Sequence, residues 1–450
     1  MLEVIDQLFG MIAVISTIQA GIDVMFLAEP TIDMLAVTAA EHSVYNVLAV
    51  NVVQLLQRSV RLYFQRKQLG ADSSGGMLAG PQLGKRTPPP AAQDWGDAQC
   101  IKRTRFTVAQ IWCLLCGFDM TRQDGSAKTY RIYTSANLYR KRQQNGFYSA
   151  PVGKYFLISA EMALLVLLIN LARPIAFCDM QQSLNGMPSP EISLTINFML
   201  EYLEPWWQGT QDLDVWLPRF DMYGDSILAK GSLIGAGGVS CRVIGFTDGT
   251  LMPTCRPHGD GNHVHKIHDF QMFSGKDRLH GNKYLGLSFP DGLIAMYGPF
   301  GGTRHDGAMF LSARIVRVLS NMRARGQGWW AIFGDSAFPL GSHCFRMNRS
   351  PDSHDETVFN RIWARIRIAN EWCFAHVGQF FSSLHFSHNL QMCKRNVGGR
   401  VQSSVLFWNL HACWNGSETA VYFNISTPNP EFIFHISATG SMPAFVQENI

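Results

Sequence analysis

The sequence predicts a mixed α/β chain: a helical first half, then a layer in which short strands alternate with helices. Three observations carry this. Apolar residues recur at helical spacing up to about residue 206. From residue 240 the texture changes to short apolar runs bounded by Asp-Gly and Pro-Asp-Gly turns. Hydrophobic residues make up 47% of the 450 residues, which supplies a sizeable core and excludes global disorder. At roughly 100–200 residues per domain, the length allows two to four domains.

Residues 1–69 read as an apolar helical extension ending in a basic stretch of Arg58, Arg61, Arg66 and Lys67. Glu3, Asp6 and Asp23 interrupt its start and no basic segment precedes it, so a signal peptide is not expected. Residues 70–98, with Gly, Ser and Pro89-Pro90, read as a flexible linker. Residues 99–239 read as a helical region. Its segment 100–142 carries much of the chain's basic excess, including Lys102, Arg103, Arg105, Arg140, Lys141 and Arg142, interleaved with Tyr130, Tyr133 and Tyr139. That pattern suits either a nucleic-acid contact or a solvated basic surface. The net charge of +4 decides nothing between them.

Residues 155–206 look all-helical. The run Ala163–Ala172 is too short to span a bilayer and reads as a buried core helix, and no membrane segment is expected elsewhere. Ser189-Pro190-Glu191 starts a helix, with Ser as cap and Pro at the first helical position. Ile192, Ile196, Met199, Leu200 and Leu203 then share a face. With Asp179–Leu184 and the Asn185-Gly186 turn before it, this resembles a helix-turn-helix. The outer face, Ser193, Asn197 and Glu201, lacks the basic residues of a DNA-reading helix and favours packing.

The strand layer follows at 240–435, with a tail at 436–450. Cys241–Thr247 reads as a buried strand ending at Asp248-Gly249. Lys283–Phe289 and Leu293–Tyr297 flank Pro290-Asp291-Gly292 as a hairpin. Asp306–Ser320 is helical, Trp329–Phe333 is a strand, and Phe359–Phe381 is a long helix with Ile362, Ile366, Phe374, Val377 and Phe381 as its core stripe.

Four carboxylates fall at the ends of these elements: Asp248, Asp306, Asp335 and Glu371. Acids from neighbouring strand ends and a packed helix can converge, and divalent cations relieve the repulsion between them. Each also has a plain structural reading: Asp248-Gly249 as a hairpin turn, Asp306 as a helix cap, Asp335 as a turn residue, and Glu371 as the partner of Arg367 four residues earlier. Glu371, beside Trp372 and Cys373 on an apolar helix, is costly unless partnered.

Ordered strings around these acids resemble the PIF/Harbinger superfamily of DDE transposases and their domesticated relatives. They are Gly245-Phe246-Thr247-Asp248-Gly249-Thr250 with Cys255-Arg256-Pro257, Ser274-Gly275-Lys276 with Arg278 and His280, Pro290-Asp291-Gly292-Leu293-Ile294, Arg304-His305-Asp306, Gly334-Asp335-Ser336-Ala337-Phe338-Pro339-Leu340, and Arg367-Ile368 through Glu371-Trp372-Cys373-Phe374. The resemblance covers roughly 155–435. It implies an RNase H-like mixed-sheet core preceded by an all-helical, helix-turn-helix-like region. It further implies a divalent metal, Mg²⁺ or Mn²⁺, and DNA strand cleavage and transfer. Asp248, Asp335 and Glu371 take the place of the catalytic triad, and Asp306 that of a fourth acid, all four as metal ligands. Arg304, His305, Lys276 and Arg278 are candidates for phosphate contact or for support of the site. Asp277 stands where the family usually has a base, and residues 1–98 match nothing in it. DNA is the implied partner, with room for an accessory DNA-binding protein. A nuclear location is implied, and the oligomeric state is left open. The other class of reading is a domesticated, catalytically silent DNA-binding or scaffold protein.

Other signals carry less. His258, His263, His265 and His268 crowd one loop without a cysteine pair at zinc-finger spacing. Cys113 and Cys116 lie among apolar residues and are expected in the core. Ten cysteines without regular spacing suit a reducing compartment. No Gly-x-Ser-x-Gly elbow occurs, which excludes the esterase reading.

Overall fold

Why the first part folds as helices is plain in the run Ala160–Ala172, whose apolar residues face every direction. A helix of that kind is stable only when surrounded. In the computed structural model it is the buried centre of the helical region. The structure describes residues 92–133, 155–232, 234, 240–256, 270–386, 390–391 and 395–436. The chain divides into Met1–Gln82 and Leu83–Ile450, and every described residue lies in the second unit. The expected extension at 1–69, the linker as far as residue 91, the four-histidine loop and the tail from residue 437 lie outside the described residues.

The helical region opens with α1 (Ala92–Thr104) and α2 (Val108–Gly117). The linker expected to reach residue 98 therefore gives way to helix at residue 92. On α2, a capping box between Thr107 and Gln110 satisfies two backbone donors that the helix start would otherwise leave free. An antiparallel pair follows, β1 (Thr129–Tyr133) with β2 (Tyr155–Ser159), so residues 155–159 are strand and not helix. Tyr130 on β1 is wholly buried against Phe198 and Tyr202, which removes it from any nucleic-acid surface.

Four helices come next: α3 (Ala160–Ala172), α4 (Phe177–Ser183), α5 (Ser189–Tyr202) and α6 (Glu204–Gly209). Asn185 and Gly186, both at positive φ, turn the chain between α4 and α5. Pro188, not Ser189, holds the cap position of α5. Its predicted face, Ile192, Ile196, Met199 and Leu200, is buried as expected. A 3₁₀ turn, Leu213–Arg219, leads into α7 (Phe220–Ala229). Cys113 and Cys116 are exposed, because Ile111, Leu114 and Leu115 supply the buried face of α2 instead.

The strand layer contains β3 (Cys241–Pro253), a two-residue β4 (Phe273–Ser274), β5 (Leu279–Ser288), β6 (Ile294–Gly301), β7 (Trp329–Gly334) and β8 (Cys344–Arg346). β5 lies antiparallel between β6 and β3, while β7 runs parallel to β3 and β8 parallel to β7. This mixed sheet, in the order β6-β5-β3-β7-β8, is consistent with the expected RNase H-like core. Between β6 and β7 stand two helices, α8 (Asp306–Ser312) and α9 (Ile315–Ala324), where one was expected. Arg314 at φ 56° breaks the helix between them.

After β8 comes α10 (His354–Phe380), capped by Ser353, then α11 (Val397–Asn415), α12 (Glu418–Phe423) and α13 (Glu431–His435). A distinct apolar cluster clamps α10 to the sheet: Val243, Phe246 and Phe333 from the strands meet Trp363 and Ile366 from the helix. Among the described residues, no helix is long and apolar enough to cross a membrane.

Candidate active site

β3 does not end at Asp248. Its pairing with β5 continues unbroken from Phe246↔Ser288 to Pro253↔Gly281, so Asp248-Gly249 is strand and the hairpin-turn reading fails. The last β3–β7 pair is Phe246↔Phe333; two residues further on, Asp248 is still within β3 and Asp335 stands just past the end of β7. The two acids thus stand just beyond the last pair that joins these parallel strands, Asp248 within β3 and Asp335 where β7 ends.

Side chains two apart on a strand share a face. Phe246 faces Trp363 of α10, so Asp248 faces the next turn of the same helix. There Arg367 Nη2 lies 2.7 Å from Asp248 Oδ2. Arg367 Nη1 is 3.9 Å from Glu371 Oε1, one turn further along. The guanidinium therefore joins Asp248 to Glu371, with the tighter contact to the residue distant in sequence. The expected local pair, Arg367 with Glu371, is the looser of the two.

The backbone favours this meeting. Gly286, paired with Asp248 on β5, has no side chain where the Phe374 ring of α10 comes down. A larger residue there would hold α10 away from the strand. The other oxygen of Asp248 accepts from the Gly249 amide at 2.8 Å, and Asp335 Oδ1 accepts from the Ala337 amide at 2.8 Å. Burial raises the Asp248 carboxyl above the ordinary carboxylate range. Arg367 and the Gly249 amide pull it back, and the Asp335 charge pushes it further up.

Glu371 is exposed, its side chain retaining 63% of its accessible surface, against 25% for Asp248. The cost expected of an unpartnered Glu371 does not arise: its carboxylate is exposed to solvent and has Arg367 at 3.9 Å. Asp306 is placed differently again. It is the first residue of α8, with His305 in the cap position, so the cap reading does not hold. Its carboxylate abuts the Cα of Gly249 from the side where a Cβ would stand, which is the opposite face of β3 from Asp248. Its nearest cation is Lys283 Nζ at 3.9 Å. Asp248 and Glu371 meet through Arg367 on the α10 side, and Asp306 lies across the strand from them.

The expected phosphate contacts also divide. Arg304 hydrogen-bonds Ser312 Oγ, and its carbonyl accepts from Lys283, which fastens the start of α8 to β5. Lys276 and Arg278 sit exposed before the far end of β5, about 20 Å along the strand from Gly286. Asp277 accepts from Ser274 Oγ in the intervening turn, a structural role that accounts for an acid at that position. Two residues were not singled out for the site in the sequence. Lys283 is marked only as a lone cation in a strand, and Gly286 only as a glycine inside one.

In kind, the three acids suit a hard divalent cation: carboxylate oxygens from within β3, from just past β7 and from α10, with mutual repulsion that a dication relieves. In position, Arg367 stands between Asp248 and Glu371. Among the described residues, no three His, Cys, Asp or Glu side chains converge closely enough to hold a metal ion. A cavity of about 360 Å³ at the start of α11, lined in part by Glu204, Trp207, Arg395 and Gln402, includes none of the four acids.

Comparison with curated proteins and with solved structures gives no match. Residues 247–404, which carry Asp248, Asp306, Asp335 and Glu371, match the family model described as DDE superfamily endonuclease, so this segment is similar to DDE endonucleases.

Proposed function

We propose that the strand layer cleaves phosphodiester bonds in DNA, with Asp248, Asp335 and Glu371 as its acids and Mg²⁺ or Mn²⁺ as cofactor. The observation that carries this reading is the position of Asp248 and Asp335 just beyond the last β3–β7 pair, with Arg367 of α10 joining Asp248 to Glu371, inside a segment similar to DDE endonucleases. A pair of divalent ions held by carboxylates supplies the charge that activates water or a 3′-hydroxyl and stabilises the leaving oxygen. In this reading Asp248 and Asp335 form the rigid floor of the site, fixed by the sheet and by the amides of Gly249 and Ala337. Glu371 closes it from the exposed face of α10. Asp306, across β3, supports the strand end through Lys283 and Gly249 and is not assigned a ligand role. The motif strings support a PIF/Harbinger affiliation within the DDE group, with DNA as partner and the nucleus as the place of action.

The test is Mg²⁺-dependent nicking of duplex DNA by the full chain and by its Asp248→Ala and Glu371→Ala variants. Activity in the parent and none in either variant supports the assignment. A second reading, a catalytically silent DNA-binding protein, is favoured by the ion pair that already occupies Asp248. Metal binding and DNA binding without nicking in the parent would select it.

A further inference from the structure

We propose that Arg367 is the resident cation of the acid site and sets its affinity for divalent metal. Its guanidinium stands where an ion would have to come, between Asp248 and Glu371, and only 14% of its side-chain surface is accessible. An arginine installed to stabilise the fold generally uses its donors fully. Here the contact to Asp248 comes through one nitrogen, the contact to Glu371 is at 3.9 Å, and the buried Nε has no hydrogen-bond partner. The paired fork-to-carboxylate geometry that makes such a bridge strong is absent: one guanidinium nitrogen reaches Asp248, whose other oxygen accepts from the Gly249 amide.

Charge points the same way. Three carboxylates carry three negative charges, and the pair of dications proposed for the site brings four positive ones. A guanidinium kept among them adds surplus positive charge, so loading the site has to move Arg367 from Asp248. The side chain is mostly covered but has a long flexible stem, so a change of its rotamers, not of the helix, moves the guanidinium off Asp248. Arg367 thus acts as an internal competitor. It keeps two like charges quiet while no metal is bound, and its departure is part of the cost of loading the site. This inference rests on the proposed metal-dependent reading, and the experiment separates the two.

Mn²⁺ alone is titrated into the full chain by calorimetry, with no DNA present. The parent is compared with Arg367→Gln, Arg367→Met and Arg367→Lys, and each variant's fold is checked by circular dichroism. Either neutral variant suffices should the other fail to fold. The neutral variants are expected to bind Mn²⁺ about tenfold more tightly, equivalent to about 1.4 kcal/mol. Arg367→Lys, which keeps the charge, is expected to stay within about threefold of the parent. Adding Asp248→Asn to a neutral variant should abolish the gain. Equal or weaker binding by folded neutral variants, with clear binding by the parent, overturns the role of Arg367 and leaves the nuclease reading standing. Tighter binding by Arg367→Lys to the same degree as Arg367→Gln also overturns it, since charge would not be the agent. Absence of Mn²⁺ binding in the parent and in the neutral variants alike overturns both.

Discussion

The Trp363 indole lies flat on the Phe333 ring, with centroids 3.9 Å apart and planes within 5°. Asp335 follows Phe333 by two residues on one side of this contact, and Arg367 follows Trp363 by one helical turn on the other. The stack therefore fixes how far α10 stands above the strand ends, and with it the separation of the acids.

Trp363→Ala is expected to cost about 3–5 kcal/mol, the usual loss for a large aromatic removed from a core. Trp363→Phe should cost less than half of that and keep the helix seated. Urea unfolding midpoints with unchanged slope measure both.

A second fixed point lies below the hairpin. Asp291 is fully buried and accepts from Tyr223 at 2.5 Å and from Arg219 at 3.0 Å, tying α7 to the turn between β5 and β6. Burial pushes its carboxyl above the ordinary range, and Arg219 with Tyr223 offsets this. Removing one member of such a network leaves the others desolvated and unpaired. Asp291→Ala should lose about 3–5 kcal/mol in chemical denaturation. The double change Asp291→Leu with Arg219→Met should lose less than Asp291→Ala alone.

His411, packed on Phe380 with ring centroids 4.2 Å apart, has its imidazole pushed down by burial to about 4 from an ordinary 6.5. Between those pH values the unfolded chain binds the extra proton and the folded one does not. Stability is full above pH 6.5 and falls as the pH drops toward 4. The loss is about 3 kcal/mol at most, and about 2 after allowing for partial exposure of the ring. His411→Asn should flatten this part of the stability–pH curve relative to the parent.

Gly286 tests the seating of α10 from the sheet side. A methyl group there would overlap the Phe374 ring, so Gly286→Ala should cost about 1–3 kcal/mol. In the proposed enzyme it should also depress nicking more than a surface change of equal stability cost. Nicking rates compared at matched folded fractions measure this.

Much of the layer order was legible because local signals agreed with tertiary ones. Ala163–Ala172 is apolar on all sides, and Pro290-Asp291-Gly292 separates two strand-like runs. The misreadings came where a distant partner overrode a local signal. Asp248-Gly249 has the composition of a turn, yet pairing with Leu285 and Gly286 keeps it in β3. Arg367 has an acid four residues away, yet its closest partner lies 119 residues off in the sequence. Cys113 and Cys116 sit in an apolar string, yet only one side of α2 is covered. The face on which Asp306 falls depends on the pleat of β3 and the entry of α8, neither of which spacing along the chain encodes.

The most direct test of the central claim, that Asp248, Asp335 and Glu371 act as one site, is single-turnover nicking by Asp248→Asn, Asp335→Asn, Glu371→Gln and the corresponding double variants, with Mg²⁺ at saturation. Groups that act as a unit are non-additive. Each single variant is predicted to lose at least about a thousandfold, with double variants no more than about tenfold worse than the weaker single. Retention of parental cleavage by any one of the three, or losses that multiply fully in the doubles, would contradict the account.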